Sequence, residues 1–336
     1  MRKPLLLNQK GFVALYLVQF CGALNDNLFR AALLTLVAFQ FAANTEQAAL
    51  LNNLAMALFI LPVVLLSPLA GQLADRADKP GMVRKNKWFE FSISCLALLA
   101  LAIMSLPLMI LVLTLLGVQS AMFGPNKYAL IPQLLPGYLL ARGNGAIASG
   151  TFLAITLGTL AGTWMASGQM PFWTIAALML ALSTFGLTAA YHLPAVERGA
   201  HDLSIDSNLF RAAARGIALA RQDKRLESSI LALSWFWLFG TGFVTQLPTW
   251  SRAVLGNEAS HLGTMFSAMV VGLLAGVLAA GRTSRRYLET GFILPALIGL
   301  IICGCLFALL PLALVTGVDS SSQPPKLTLS LLLVGT

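Results

Sequence analysis

The chain has 336 residues, 57% of them hydrophobic and only 10% charged, with a mean hydropathy of +0.79. A water-soluble domain of this length could not cover so much apolar surface with polar groups, so the composition excludes a soluble protein and requires a polytopic membrane protein. The formal net charge of +9 does not point to nucleic acid, because the basic residues sit in short gaps between apolar runs rather than on one soluble face.

The first apolar segment, 12–41, is long enough to cross about 30 Å of hydrocarbon and carries charge at its centre, so it reads as a retained span rather than a cleaved signal peptide. Within it lies "ALNDNLFRAAL", residues 23–33. Asp and Arg in the middle of a membrane helix cost about 2.5–3.5 kcal/mol each on insertion scales, so Asp26 and Arg30 must face protein or water. Four residues apart, they share a face and are spaced for an ion pair within the helix. Asn25 and Asn27 stand roughly 100° to either side of Asp26, which widens the polar surface beyond what a self-contained pair needs and predicts a wetted cavity. The alternative is a purely structural salt bridge that ties this helix to its neighbours.

Further windows of spanning length follow at 48–73, 88–106, 108–128, 142–167 and 171–193, then at 228–251, 261–281 and 290–313. A tenth apolar run begins at Leu327 and stops at Thr336, too short to span, so the expectation is a chain truncated in its tenth helix. All of the 22 Lys and Arg except Arg30, Arg252 and Lys326 fall on one side of this segmentation, which the positive-inside rule assigns to the cytoplasm together with the amino terminus. Lys127 then stands at the cytoplasmic end of the fourth span, either as a partner for a phosphate or as an anchor that snorkels to the interface.

The long polar interruption at 194–227 separates an N-terminal six-helix half, 1–193, from an incomplete C-terminal half, 228–336. Inside it Leu209, Phe210, Ala213, Ile217 and Ala220 recur at helical spacing, with Arg211, Arg215, Arg221 and Arg225 on other faces. This predicts an amphipathic helix, either lying on the anionic inner leaflet or solvated as a linker. "GQLAD" at 71–75 and "GVLAA" at 276–280 form a weak internal repeat, the pattern of two parallel halves with a substrate site between them. Gly143, Gly145, Gly150, Gly158 and Gly162 in the fifth span, and Gly240, Gly242, Gly272 and Gly276 later, permit close helix contact. Trp235, Phe236 and Trp237 form an aromatic cluster that either lines a groove for an apolar tail or packs. Cys21, Cys95, Cys303 and Cys305 lie in apolar segments without metal or redox spacing and read as packing residues. No nucleotide loop, catalytic triad or hydrolase carboxylate pair is present, so this stretch calls for no enzyme activity, cofactor or metal.

"GQLADRADK" at 71–79 resembles the motif between helices two and three of the major facilitator superfamily, with Asp78 where that pattern usually has a second glycine. The resemblance implies an all-α membrane fold of two six-helix halves. It also implies conformational gating by Gly71, through close helix contact, and by Asp75 and Arg76, through polar contacts on the cytoplasmic side. "QFCGALNDN" at 19–27, "FGPNKYALIPQL" at 123–134 and "GNGAIASGTFLAITLGTLAG" at 143–162 together resemble the bacterial lysophospholipid transporter branch. That implies alternating-access flipping of lysophospholipids across the inner membrane for reacylation, with an acyltransferase or acyl-ACP synthetase as a separate or fused partner, the fused domain then following Thr336. On this reading Asp26, Arg30, Asn25, Asn27 and Lys127 are the substrate-binding residues: the cations for phosphate, Asp26 for ammonium. Two positions depart from the branch pattern, Ala148 where it has an acid and the neutral Val244–Gln246 stretch where it has a base. A proton-coupled exporter of drugs or metabolites and a non-transporting membrane platform for an acyltransferase are the alternatives.

Overall fold

The computed structural model describes residues 6–196, 208–255 and 261–269, with four further pairs of residues between 271 and 305. Its main elements are α1 (Lys10–Leu36), α2 (Thr45–Arg76), α3 (Lys79–Ala102), α4 (Leu106–Leu134), α5 (Leu140–Trp164), α6 (Trp173–Tyr191), α7 (Leu209–Ala220) and α8 (Lys224–Leu255). π-helical turns at Val37–Phe41 and Met165–Gln169 extend α1 and α5. The chain divides into a compact unit at Met1–Thr249 and a second at Trp250–Thr336. In the second, residues 261–269 are helical, with Leu262, Met265 and Phe266 buried at helical spacing.

Helix ends follow local chemistry. The Asn44 side chain accepts from the Gln47 amide at the start of α2, and Asn208 does the same for Arg211 at the start of α7. Pro80 and Pro107 occupy the first turns of α3 and α4, where a missing N–H costs nothing. Gly168, with φ of 88°, supplies the left-handed residue that turns the chain from α5 into α6. The α6 carboxyl end is capped from outside, since the Arg84 guanidinium donates to the carbonyls of Ala190 and Leu193 and lies 5.6 Å from the Tyr191 ring centroid.

Six of the described helices are long and apolar enough to cross a membrane, in α1, α2, α4, α5, α6 and α8. α1 packs against α5 and α6, α3 against α4 and α6, and α2 against α4. At the α1–α5 seam the backbones themselves touch. A Cβ added at Gly158 would meet the Leu24 carbonyl oxygen, the Leu28 amide nitrogen and Asn27 Cβ, and one at Gly162 would collide with the Leu28 carbonyl. Small residues here bring two backbones into contact, as the glycine pattern of the fifth span predicts. Gly240 and Gly242, by contrast, have nothing described within 4 Å of such a Cβ.

The observed boundaries correct the sequence reading in two places. The third helix begins at Lys79 rather than 88, and the fourth runs to Leu134 rather than 128. Lys79 and Lys87, expected among the cytoplasmic loop charges, are therefore inside α3 and buried, Lys87 completely, and Lys127, expected at the cytoplasmic end of the fourth span, is buried within α4. Hydropathy windows eject charged residues from a span, so a helix that buries its charges is read too short. Of the cysteines expected to pack, Cys21 is buried while Cys95 is exposed. α7 lies beside α2 with Phe210, Ile217 and Leu219 exposed. The "GVLAA" half of the internal repeat and the run from Leu327 lie outside the described residues.

Gly162→Val should push α1 and α5 apart, at a cost of about 1–3 kcal/mol for overpacking against backbone that cannot swing away. The detergent-solubilised variant is expected to melt several degrees below wild type, whereas Gly240→Ala is expected to match or exceed it. A wild-type melting temperature in Gly162→Val would show that the two helices are not in backbone contact.

Candidate functional site

Asp26, Asn27, Arg30 and Lys127 meet at one cavity of about 160 Å³. Its walls are α1 (Gln19, Gly22, Ala23, Asp26, Asn27, Arg30), α2 (Phe59), α4 (Gln119, Ser120, Phe123, Gly124, Lys127) and α5 (Thr151, Ile155). A water's share of liquid volume is about 30 Å³, so the space suits a few waters or a small polar group. A cavity thus lies beside the polar arc of the first helix, with its charge carried by α1 and α4.

The ion pair expected between Asp26 and Arg30 is not made: no salt bridge within 4.0 Å joins them. Each has a different partner. The Ser120 hydroxyl donates to Asp26 Oδ2 at 2.6 Å, and Oδ1 is left buried without a donor. The Arg30 guanidinium donates to Asn27 Oδ1 and lies 5.4 Å from the Phe59 ring centroid. Asn27 in turn donates to the Ala23 carbonyl at 2.6 Å. Spacing of four residues permits the intrahelical pair, but Asn27 on the same helix and Ser120 on α4 compete for its two ends and hold them apart. An acid and a base are left on one cavity with hydrogen-bonding capacity to spare.

Lys127 lines the same space, buried, with Nζ 4.7 Å from the Tyr128 ring centroid and 6.0 Å from that of Phe123. Both are cation–π distances. Asn25 does not belong to this cavity. It is fully buried, and its amide reaches towards Glu90 Oε1 on α3 at 3.5 Å.

There it joins a cluster that the sequence reading missed. Lys87 Nζ and Glu90 Oε2 are 2.5 Å apart, both side chains with no exposed surface. Gln119 donates to Glu90 Oε2 at 2.8 Å and to Asn86 Oδ1 at 2.6 Å. Room for the lysine comes from two glycines, because a Cβ at Gly22 on α1 would lie 2.7 Å from Lys87 Nζ and one at Gly186 on α6 would lie 3.4 Å away. The signal for the cluster was in the sequence: Glu90 is an acid inside an apolar window, as Asp26 is. Hydropathy hides the pair, because its window starts at 88 and leaves Lys87 in the preceding loop.

The remaining expected residues lie elsewhere. Gly71, Asp75 and Arg76 are at the carboxyl end of α2, and Asp75 and Arg76 are exposed. No described atom lies within 4 Å of a Cβ built on Gly71, so the close helix contact expected there is not made among the described residues. Ala148 is exposed on α5, and Gln246 on α8 donates to Asn53 of α2 at 2.7 Å; neither lines the cavity. In the aromatic cluster Trp237 stacks on Phe152 with centroids 5.7 Å apart, and Trp235 is exposed.

Chemically the cavity is amphoteric. Arg30 offers a planar fork of donors, Lys127 a point charge and Asp26 a carboxylate oxygen without a donor, a set that suits a ligand carrying an anion, or an anion and a cation together. Known proteins place this architecture. The described fold is similar to the human organic anion transporter MFSD10 (TM-score 0.62, 17% identity, covering 99% of this chain and 83% of that one). It is also similar to a bacterial homologue of the human lysosomal transporter Spinster in an inward-facing, unoccupied conformation (TM-score 0.57, 14% identity, 96% and 71% covered). In sequence the chain is 26% identical over 306 residues to the lysophospholipid transporter LplT of Photorhabdus laumondii, covering 88% of this chain and 72% of that protein. It is 27% identical over 308 residues to LplT of Yersinia pestis, with 88% and 71% covered. The model of the Major Facilitator Superfamily matches residues 15–336. With that match, and with an all-helical membrane fold around a charged cavity, the chain belongs to the Major Facilitator Superfamily and is a multi-pass membrane transporter.

Proposed function

We propose that the protein carries lysophospholipids, such as lysophosphatidylethanolamine, across the bacterial inner membrane by alternating access, delivering them for reacylation. The observation that carries this reading is the unpaired set of Asp26, Arg30 and Lys127 around one small cavity inside the helical bundle. Leaving such charges apart in hydrocarbon is costly, and a ligand bearing phosphate and ammonium would offset that cost. Arg30 takes the phosphate by parallel hydrogen bonds, Lys127 adds a point charge and Asp26 accepts from the ammonium. The cavity holds a head group but no acyl chain as well, so the tail lies along the apolar helix surfaces. The relatives named as lysophospholipid transporters support the substrate class.

In this scheme residues 1–193 form the N-terminal half, 194–227 the cytoplasmic connection and 228–336 the corresponding part of the second half. The amino terminus is cytoplasmic, as the basic loops on that side suggest. Gly71, Asp75 and Arg76 gate the movement from the cytoplasmic end of α2. An acyltransferase or acyl-ACP synthetase, separate or fused, consumes the lipid that is delivered.

Asp26→Ala is expected to reduce uptake of lysophosphatidylethanolamine by proteoliposomes to background at an unchanged protein level, and wild-type uptake would remove Asp26 from the site. Arg30→Lys should weaken apparent affinity by about tenfold, since a point charge replaces the bidentate fork.

The exposed Phe210, Ile217 and Leu219 of α7 favour one second reading, a platform that recruits an acyltransferase. Phe210→Asp with Ile217→Asp distinguishes the two: a carrier keeps uptake, whereas a platform loses its partner and with it every lysophospholipid-dependent phenotype.

A further inference from the structure

Lys87 and Glu90 form the one fully buried ion pair among the described residues, and the transport reading leaves them without a role. A buried pair is a poor way to add stability, because its desolvation offsets most of the attraction. What it organises is the more telling property. The Glu90 carboxylate gathers groups from three helices: Lys87 of its own α3, Gln119 of α4 at 2.8 Å on Oε2, and Asn25 of α1 at 3.5 Å on Oε1. Of these, Gln119 also lines the cavity that holds Asp26, Arg30 and Lys127.

Glu90 Oε2, 2.5 Å from Lys87 Nζ, accepts from Gln119, so the Gln119 side chain turns its NH2 towards Glu90. The second N–H goes to Asn86 Oδ1 at 2.6 Å. Asn86 is oriented by the same logic, since its own amide donates at 3.0 Å to the main-chain carbonyl of Gln119, another group that only accepts. Both N–H groups of Gln119 are therefore committed away from the cavity, and the oxygen Oε1 remains as an acceptor with no donor among the described residues.

We propose that Lys87 and Glu90 are positioning residues for substrate selection. By holding the Gln119 amide in one orientation they give the cavity a carbonyl acceptor on its α4 wall, beside the Asp26 carboxylate that α1 contributes to the same space, which favours a head group with ammonium N–H over one whose nitrogen is fully methylated. The inference rests on the lysophospholipid reading and adds the residues that choose among such lipids. Gly22 belongs to the device, because a Cβ there would lie 2.7 Å from Lys87 Nζ and displace the lysine that pairs with Glu90.

The test is concentration-dependent uptake of lysophosphatidylethanolamine and lysophosphatidylcholine with the same acyl chain, by proteoliposomes holding the full chain. Wild type is expected to favour the ethanolamine lipid on the order of tenfold in apparent KM, the worth of one hydrogen bond to a charged group. The double variant Lys87→Met with Glu90→Gln removes both buried charges at similar volume and lets residue 90 donate as well as accept, so the Gln119 amide can turn over. Its preference should fall to near parity with maximal rate retained. Gln119→Leu, which leaves the ion pair intact, should lose the preference in the same way and serves where the double variant fails to fold. An unchanged preference in the folded variants, or an equal loss of uptake for both lipids, overturns the positioning role. A wild type that transports lysophospholipids without preferring the ethanolamine form overturns it too while leaving the transport reading intact, and a wild type that transports neither lipid overturns both.

Discussion

Hydrocarbon offers no partner to a charge, so every ionised side chain inside this bundle must be answered by another part of the protein, by trapped water or by a ligand. Five of them, on α1, α3 and α4, stand in or beside the cavity, and they are answered in two different ways. Lys87 and Glu90 neutralise each other at 2.5 Å with no exposed surface. Asp26, Arg30 and Lys127 are each given partial satisfaction, from Ser120, from Asn27 with Phe59, and from Tyr128 with Phe123, and none is neutralised by another. The sealed pair is scaffold chemistry. The open trio lines the cavity, and a site that leaves its charges uncancelled is built to have them cancelled by what enters it.

The two groups share structure. The Phe123 ring centroid stands 5.6 Å from Lys87 Nζ and 6.0 Å from Lys127 Nζ, so one aromatic ring serves the buried pair and the cavity wall together. Gln119 joins them a second time, through its bond to Glu90. Both lie on α4, along with Ser120 and Lys127, so that helix carries the link between scaffold and site. α1 supplies the opposing charges, and its backbone contact with α5 at Gly158 and Gly162 sets how deep the cavity wall stands. Small residues at the seam and large charged ones at the cavity are thus two parts of one arrangement, since a wider seam would separate the wall of α1 from that of α5.

How far all this was legible depends on which physical quantity each feature expresses. Membrane character, the helical order and the inward-facing polar arc of α1 follow from composition, length and the cost of intramembrane charge, all properties of the chain alone, and the superfamily is carried by local motifs such as "GQLADRADK". Partner choice is not such a property. Asp26 and Arg30 are spaced for each other, yet Ser120, 94 residues away in sequence, takes one end of the pair, and only tertiary packing decides that. The step of roughly 100° per residue joins Asn25, Asp26 and Asn27 into one polar arc. It could not say that Asn25 and Asp26 look into different compartments, one towards Glu90 and one towards the cavity.

The misplacement of α3 is the more instructive error. A window that scores hydropathy treats every lysine as evidence for an interface, so Lys87 moved the boundary to 88 and stripped Glu90 of its context. Read instead as a pair, the two are three residues apart on one helical face, the spacing at which opposite charges meet. An acid that lies within an apolar run and has a base one turn away can be carried across the membrane boundary at far less cost than either charge alone. Intramembrane charges are better scored in pairs than singly, and on that scoring α3 declares both its true extent and its buried chemistry.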